Sequence, residues 1–243
     1  MDEFEKELAQ VSEQNSDLWF AVRAGRFTSS KMYNLIASGT RLMTAEELKN
    51  RPKSGAGSSA KLTEDPSKFS EKGERYIYEV VSEVLTGMSS PQGFSYATQH
   101  GDEMEPFAAK YYEEKFGVET EMVSFKPFGD HAGGSPDRKI KGIEEGLEIK
   151  CPYNPVNQIE YLMLTDQWDL KRLYPDYYWQ CMSNLLFTGW DKIHFVTYDH
   201  RFTLEKHKMS HIEITPNSKE FDIITGRLAM AIKLKLEILN SLK

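Results

Sequence analysis

The sequence predicts an α/β or α+β protein in which a central mixed β-sheet is flanked by helices, and two observations carry this prediction. Apolar residues recur at helical spacing over 69–85 and 101–116, and a glycine follows each segment. Three short segments between 118 and 152 then alternate polar and apolar residues, with turn residues between them, which predicts an antiparallel meander. Helices that precede and follow a run of strands are typical of this class.

The second half of the chain completes this pattern. A strong helix is expected over 176–187, a strand over 192–199, a further strand-like segment ending near 214, and a last helix over 218–242. With 243 residues, of which 40% are hydrophobic, the chain suits a single domain spanning 1–243. The stretch 40–67 is rich in small and polar residues, so we expect a flexible insertion with at most one short helix over 45–49.

Charge is unevenly distributed along the chain. The formal net charge is −7, but residues 1–17 hold six acidic residues and one basic residue. Residues 23–61 hold eight basic and two acidic residues, which predicts a basic wall that could face phosphate; an ordinary solvated surface is the other interpretation. Local charge decides nucleic-acid binding, so the net value does not exclude DNA.

Other classes of protein and site are disfavoured by composition. No apolar run approaches the roughly 20 residues that span a bilayer, and the acidic start does not resemble a signal peptide, so we expect a cytoplasmic protein without membrane contact. Cys151 and Cys181 form no CxxC pair, which argues against a zinc ribbon, a disulfide framework and a four-cysteine iron–sulfur cluster. The six histidines form no HExxH motif, so a histidine–zinc enzyme is not expected.

The segment GGSPDRKIKGIEEGLEIKCP carries the chemistry. Side chains alternate across a strand, so Glu148 and Lys150 project from one face and Ile149 from the other. If Asp137 ends the preceding strand of a hairpin, its carboxylate comes beside Glu148, and two adjacent carboxylates repel unless a cation joins them. Oxygen ligands favour Mg²⁺, with Mn²⁺ as a substitute.

This arrangement suits phosphodiester hydrolysis. Asp137 and Glu148 would be metal ligands, and the backbone carbonyl of Ile149 would complete the coordination. Lys150 would orient or deprotonate the attacking water and stabilise charge on the phosphate. A Glu-x-Lys pair on a strand is common, however, and a solvent-facing ion pair is the alternative interpretation of these two residues.

SPD followed by GLEIKCP resembles the PD-(D/E)xK nuclease signature, specifically that of the lambda exonuclease and YqaJ-like viral recombinase family. Three further segments resemble this family in order along the chain: LWFAVRAGRFTSSKMYNLI, ATQHGDEMEPFAAKYYEEKFG and YYWQCMSNLLFTGWDKIHFVTYD. The resemblance covers most of 18–199 and implies a restriction-endonuclease-like core.

The resemblance also implies roles for individual residues. Glu105 would join Asp137 and Glu148 at the metal, Lys150 would be catalytic, and Gln180 would help to place the nucleophilic water. The terminal phosphate of the DNA would be held by Arg23, Ser30 and Ser135.

A function follows from the residues and the resemblance together. We expect a Mg²⁺-dependent 5′ to 3′ exonuclease that digests one strand of duplex DNA from its ends. From the resemblance alone come the 5′ to 3′ polarity, a homotrimeric ring, a single-strand annealing partner, and phage or prophage recombination in a bacterial host. Two alternatives remain at this point: an endonuclease or junction resolvase with the same metal site, and a DNA-binding module with an inactive nuclease core.

Overall fold

A five-stranded mixed sheet forms the centre of the computed structural model, which describes residues 17–50, 62–90 and 95–243. Its strand order is β10-β9-β8-β7-β4, where only β8 and β9 run parallel to each other. The strands are β4 (Thr120–Met122), β7 (Arg138–Ile140), β8 (Glu145–Lys150), β9 (Lys192–Tyr198) and β10 (Met209–Ile214). The predicted class, a mixed sheet flanked by helices, is confirmed.

The predicted meander is divided between two sheets. Strands β4, β7 and β8 pair antiparallel as expected. The intervening strands β5 (Lys126–Phe128) and β6 (Ala132–Gly134) form a separate sheet, because β6 pairs in parallel with β1 (Phe27–Thr28) near the start of the described chain. The prediction of a single meander over this region was therefore wrong, because β6 pairs with a strand about a hundred residues away in the chain.

Helices cover both sides of the central sheet. They are α1 (Asp17–Arg23), α2 (Met32–Ile36), α3 (Ala45–Asn50), α4 (Glu71–Thr86), α5 (Tyr96–Phe116), α6 (Pro155–Leu162), α7 (Gln167–Leu173), α8 (Pro175–Thr188), α9 (Glu205–Lys208) and α10 (Ser218–Ser241). The predicted ends of α4 and α5 are confirmed, with left-handed glycines as caps. Helix α5 begins earlier than predicted, because the side chain of Ser95 accepts from the Thr98 N–H and caps it.

The described ends of the 40–67 segment carry more regular structure than expected. Besides α3, strand β2 (Ser38–Leu42) pairs antiparallel with β3 (Leu62–Phe69). The buried guanidinium of Arg227, on α10, donates to the carbonyls of Pro66 and Lys68 and stacks on Phe69, which anchors β3 to the helix. The one short helix expected over 45–49 is found as α3, whereas the two strands were not expected, since the sequence gives no sign of this distant anchor. Residues 51–61, like the acidic stretch 1–16, lie outside the described residues.

The two faces of β8 contact different helices. Leu147 and Ile149 pack with α5 in one core cluster, together with Ala108 and Val196. Burying a leucine of this kind contributes about 1.5–3 kcal/mol. Phe107 on α5 is 59% exposed, because Ala108, Ala109 and Tyr112 take the buried positions of the helix. Glu148 and Lys150 point to the other face, toward α8.

None of the helices in the described ranges is long and apolar enough to cross a membrane.

Candidate active site

Asp137 and Glu148 are brought together by the hairpin of β7 and β8. The Asp137 N–H donates to the Leu147 carbonyl over 3.1 Å, which fixes Asp137 just before β7. Its carboxylate Oδ2 accepts from the Ile149 N–H over 2.6 Å. Pairing of the two strands ends at Arg138 and Leu147, so the edge of β8 beyond that pair is open to this carboxylate.

Glu148 is fully buried, and three donors hold its carboxylate. Oε1 accepts from Lys150 Nζ and from Gln180 Nε2, each over 2.6 Å. Oε2 accepts from Asn184 Nδ2 over 3.2 Å. Gln180 and Asn184 are four residues apart on α8 and therefore share one face of the helix. The structure thus places Gln180 beside the three residues of the strand hairpin.

Carboxyl groups are crowded at this site. Burial, together with the charge of Asp137, raises the pKa of Glu105 to about 7 and that of Glu148 to about 8. Burial also raises the pKa of Asp137. Burial by itself would lower the pKa of Lys150, but the carboxylates of Glu148 and Asp137 outweigh it and raise that pKa. The lysine is therefore an ammonium at neutral pH. Its positive charge does not balance the negative charge of the carboxylates around it.

The donor set fits a hard divalent cation. Glu105, Asp137 and Glu148 supply carboxylate oxygens, and their pKa values are raised first by burial and then by neighbouring carboxylates, both of which a bound cation would offset. In an extended strand the N–H and C=O of one residue point the same way. Because the Ile149 N–H faces Asp137, the Ile149 carbonyl also faces this open edge of β8. These four residues would hold the metal.

A cavity of about 790 Å³ opens over this cluster. The side chains of Glu105, Asp137 and Lys150 line it, as do the aromatic rings of Tyr153 and Tyr177. Asp102, one turn before Glu105 on α5, is a third acidic residue in its wall. The space is large enough for a nucleotide and lies directly above the carboxylates.

The three residues expected to bind phosphate lie close together, linked by Trp19. Arg23 Nη2 is 3.5 Å from Ser30 Oγ, and the guanidinium stacks on the Trp19 ring at 3.8 Å. Trp19 Nε1 in turn donates to Ser135 Oγ over 3.2 Å. Ser135 immediately precedes Pro136 and Asp137, so the cluster adjoins the carboxylates through the chain itself.

Arg23 and Ser30 lie on separate elements of the chain. Helix α1 ends at Arg23, and Gly25 has a φ of 75°, a conformation that glycine adopts at little cost. The turn leads into β1 and a 3-10 turn that carries Ser30. Burial lowers the pKa of Arg23 to about 10, so the residue stays charged near pH 7.

The comparison with known families decides where this chain belongs. The model of the YqaJ-like viral recombinase domain matches residues 18–191. This chain is a member of that family. The match includes all the residues of the strand hairpin, both α8 amides and the Arg23 cluster. Among curated proteins, no sequence matches the chain significantly.

Solved structures share the fold of this YqaJ-like chain. An alkaline exonuclease from Laribacter hongkongensis is 21% identical, with a TM-score of 0.69 and coverage of 93% of this chain and 96% of that chain. Its complex with dAMP gives 22% identity, a TM-score of 0.70 and coverage of 94% and 96%. A phage-related exonuclease from Haemophilus somnus is 14% identical, with a TM-score of 0.65 and coverage of 90% and 96%. At these identities the likeness establishes the fold.

Two polar residues of this YqaJ-like site escaped the sequence analysis. Asn184 lies one helical turn after Gln180, and Asp102 lies three residues before Glu105, so spacing from a known site residue was the available signal. Asn184 is accommodated by Gly134 on β6: a Cβ atom there would lie 2.3 Å from Asn184 Oδ1. The second glycine of GGSPD thus leaves room for a residue that holds Glu148.

Proposed function

We propose that this chain is a Mg²⁺-dependent exonuclease that digests one strand of duplex DNA from its ends in the 5′ to 3′ direction. The observation that carries this proposal is the convergence of Asp137, Glu148 and Lys150 at the open edge of β8, beneath a cavity of nucleotide size. Membership of the YqaJ-like family supports it. Structural neighbours described as exonucleases, one of them with dAMP, agree with it.

The metal, Lys150 and Gln180 have different proposed roles in the reaction. When bound, Mg²⁺ supplies positive charge to the attacked phosphate and lowers the pKa of water, and Mn²⁺ would substitute for it. The Lys150 ammonium lies where charge grows on the phosphate and stabilises it, since its raised pKa makes it a poor proton acceptor. Gln180 keeps Glu148 in place and offers its amide to the attacking water.

The proposal is tested by following duplexes labelled at either 5′ or 3′ end, with Mg²⁺ and with EDTA, beside a closed circular duplex. We expect mononucleotides from 5′ ends of linear DNA, an intact circle, and no products with EDTA. Cutting of the circle would instead indicate an endonuclease or junction resolvase. Binding without cleavage would indicate a DNA-binding module with an inactive core.

Arg23 is proposed to read the 5′-phosphate of the DNA end. Its planar guanidinium suits phosphate oxygens, and Ser30 and Ser135 add hydroxyl donors beside it. We predict that wild-type protein degrades 5′-phosphorylated ends faster than 5′-hydroxyl ends. Arg23→Ala is expected to erase this preference while the slow cutting of 5′-hydroxyl ends changes little, as measured by initial rates on the two substrates.

The control for this prediction is Arg26→Ala, which removes a neighbouring half-buried arginine that donates to the Gly129 carbonyl. It should keep the phosphate preference. Equal slowing of Arg23→Ala on both kinds of end would mean that Arg23 has a structural role only.

Asn184 is predicted to act as a positioning residue, since it reaches the reaction only through Glu148. Asn184→Ala removes one hydrogen bond to a buried carboxylate, an interaction of about 1.5–3 kcal/mol. We expect kcat to fall roughly 10- to 100-fold and the Mg²⁺ concentration for half-maximal activity to rise, with a smaller change in KM for DNA.

Ser183→Ala is the matched control, because Ser183 is equally buried on α8 but donates to the Trp179 carbonyl, away from Glu148. It should lower thermal stability without moving the Mg²⁺ midpoint. If Asn184→Ala also leaves that midpoint unchanged, Asn184 does not position Glu148.

The assembly and partners are proposed from the family. A homotrimeric ring around DNA would keep an acidic protein on its substrate by enclosure. We predict by light scattering a mass near three times the 28.0 kDa of one chain at micromolar concentration. The monomer mass would contradict this. A single-strand annealing protein is the proposed partner, in the cytoplasm of a bacterial host during phage-type recombination.

A further inference from the structure

Five side chains on three adjacent strands form a second polar cluster at the other end of the sheet from the catalytic carboxylates. Glu145 is contributed by β8, Lys192 and His194 by β9, and His211 and Glu213 by β10. Glu145 and Lys150 are the first and last residues of β8, so roughly 17 Å of strand separates this cluster from the active site. The proposed nuclease function uses none of these five residues.

The cross-strand register brings the three ligating groups together. His194 lies directly opposite Glu213, and His211 lies two residues before Glu213 on the same face of β10. His194 Nδ1 is 2.7 Å from His211 Nε2. One nitrogen of each ring and a carboxylate oxygen of Glu213 all lie within 4.8 Å of one another. The strands therefore assemble a set that no short sequence spacing reveals.

Glu145 orients His194 for metal binding. Its Oε2 lies 2.6 Å from His194 Nε2, so that nitrogen donates its proton to the carboxylate and Nδ1 is left with its lone pair toward His211. A carboxylate behind a ligating histidine is the usual outer support of a zinc ligand. Burial lowers the pKa of both histidines, that of His211 to about 4, so the rings are neutral near pH 7.

We propose that His194, His211 and Glu213 bind one divalent transition-metal ion of the Zn²⁺ class, with water completing the coordination. Two imidazoles and one carboxylate favour such an ion over Mg²⁺. Tetrahedral ligands at about 2.0–2.1 Å place two nitrogens about 3.3 Å apart, so the rings must separate by roughly 0.6 Å. The half-buried His211 at the edge strand can supply this movement. The ion would join β9 to β10.

Lys192 competes with the metal. Its Nζ lies 3.0 Å from a Glu213 oxygen and 3.9 Å from Glu145, and Lys115 on α5 adds a second positive charge near His211. Binding must release Glu213 from the lysine. Removing Lys192 should therefore strengthen metal binding, whereas removing a ligand should weaken it, and these opposite effects distinguish a metal site from a hydrogen-bonded histidine pair.

The test uses Co²⁺ and Zn²⁺ with the full chain. We expect wild-type protein to show the intense visible absorption of four-coordinate Co²⁺ and to bind two Zn²⁺ per chain, one of them at the catalytic carboxylates. Asp137→Asn should keep the Co²⁺ absorption, because the oxygen-rich catalytic site does not produce it. His211→Ala should lose the absorption and bind one Zn²⁺ fewer.

Two milder variants keep the test valid if His211→Ala folds poorly. The Glu213 side chain is 53% exposed, so Glu213→Gln should fold normally and lower Zn²⁺ affinity at least tenfold. Lys192→Met should raise that affinity. The proposal is overturned if wild-type protein shows no four-coordinate Co²⁺ absorption, or if Glu213→Gln and Lys192→Met leave Zn²⁺ affinity unchanged.

Discussion

Replacing Lys150 with alanine is expected to lower kcat for DNA hydrolysis by at least about 10²- to 10³-fold, the size of effect seen when one preorganised transition-state donor is lost. The physical reason is that the ammonium acts on charge that develops only during the reaction. DNA affinity and divalent-metal binding should be retained, because Lys150 is not a ligand. Its removal also takes a positive charge away from Glu148 and Asp137, which favours a bound cation.

Single-turnover kinetics with saturating Mg²⁺ measure this effect, and thermal shift with and without Mg²⁺ reports whether metal binding survives. Lys141→Ala is the matched control, since Lys141 forms an exposed ion pair with Glu119 away from the cavity. Lys150→Arg should restore little activity, because the larger planar guanidinium cannot occupy the position of the ammonium 2.6 Å from Glu148. Turnover near the wild-type value in Lys150→Ala would mean that the catalytic site lies elsewhere.

Replacing Asp137 with asparagine is expected to abolish both hydrolysis and the stabilisation of the protein by Mg²⁺. Asparagine keeps an oxygen that accepts from the Ile149 N–H, so the turn before β7 should be preserved. It removes a charge that, in addition to burial, raises the pKa of Glu105 and Glu148. The metal-free variant should therefore be as stable as the metal-free wild type or more stable, which separates loss of a ligand from misfolding.

The pH dependence of stability gives this prediction a second measurement. Between about pH 4.5, the ordinary pKa of these carboxyls, and pH 7 to 8, the folded metal-free protein binds more protons than the unfolded chain. Its stability should accordingly fall as pH rises through this window. Mg²⁺ should flatten the slope in wild type, and Asp137→Asn should flatten it without metal. A slope identical in the two metal-free proteins would contradict the electrostatic account of the site.

The core of the candidate site could be predicted because it is local in sequence. Asp137, Glu148 and Lys150 lie on two successive strands, so strand alternation and one short hairpin bring them together. The glycine caps of α4 and α5 are local in the same way, since each follows from a residue at the helix end. The roles of Asp137, Glu148 and Lys150 in hydrolysis remain predictions, as do those of Glu105 and Gln180.

Contacts between distant segments could not be predicted from periodicity. Strand β6 leaves the predicted meander to pair with β1, and Arg227 holds β3 from the last helix. Strand β6 pairs with β1 because their backbone edges match, and β3 is held because the buried Arg227 guanidinium needs several carbonyls. Neither requirement appears in the spacing of apolar residues along these segments. The described strand β3 was missed for this reason.

By itself, then, the sequence determined the fold class, the C-terminal ends of α4 and α5 and the hairpin that joins Asp137 to Glu148. Only the tertiary structure decided which groups complete the site: Asn184 reaches Glu148 from α8, and Trp19 links Arg23 to Ser135. The same packing places His194 beside His211 across two strands. Periodicity along a chain specifies the face on which a side chain lies, whereas its partner across that face depends on how whole elements pack.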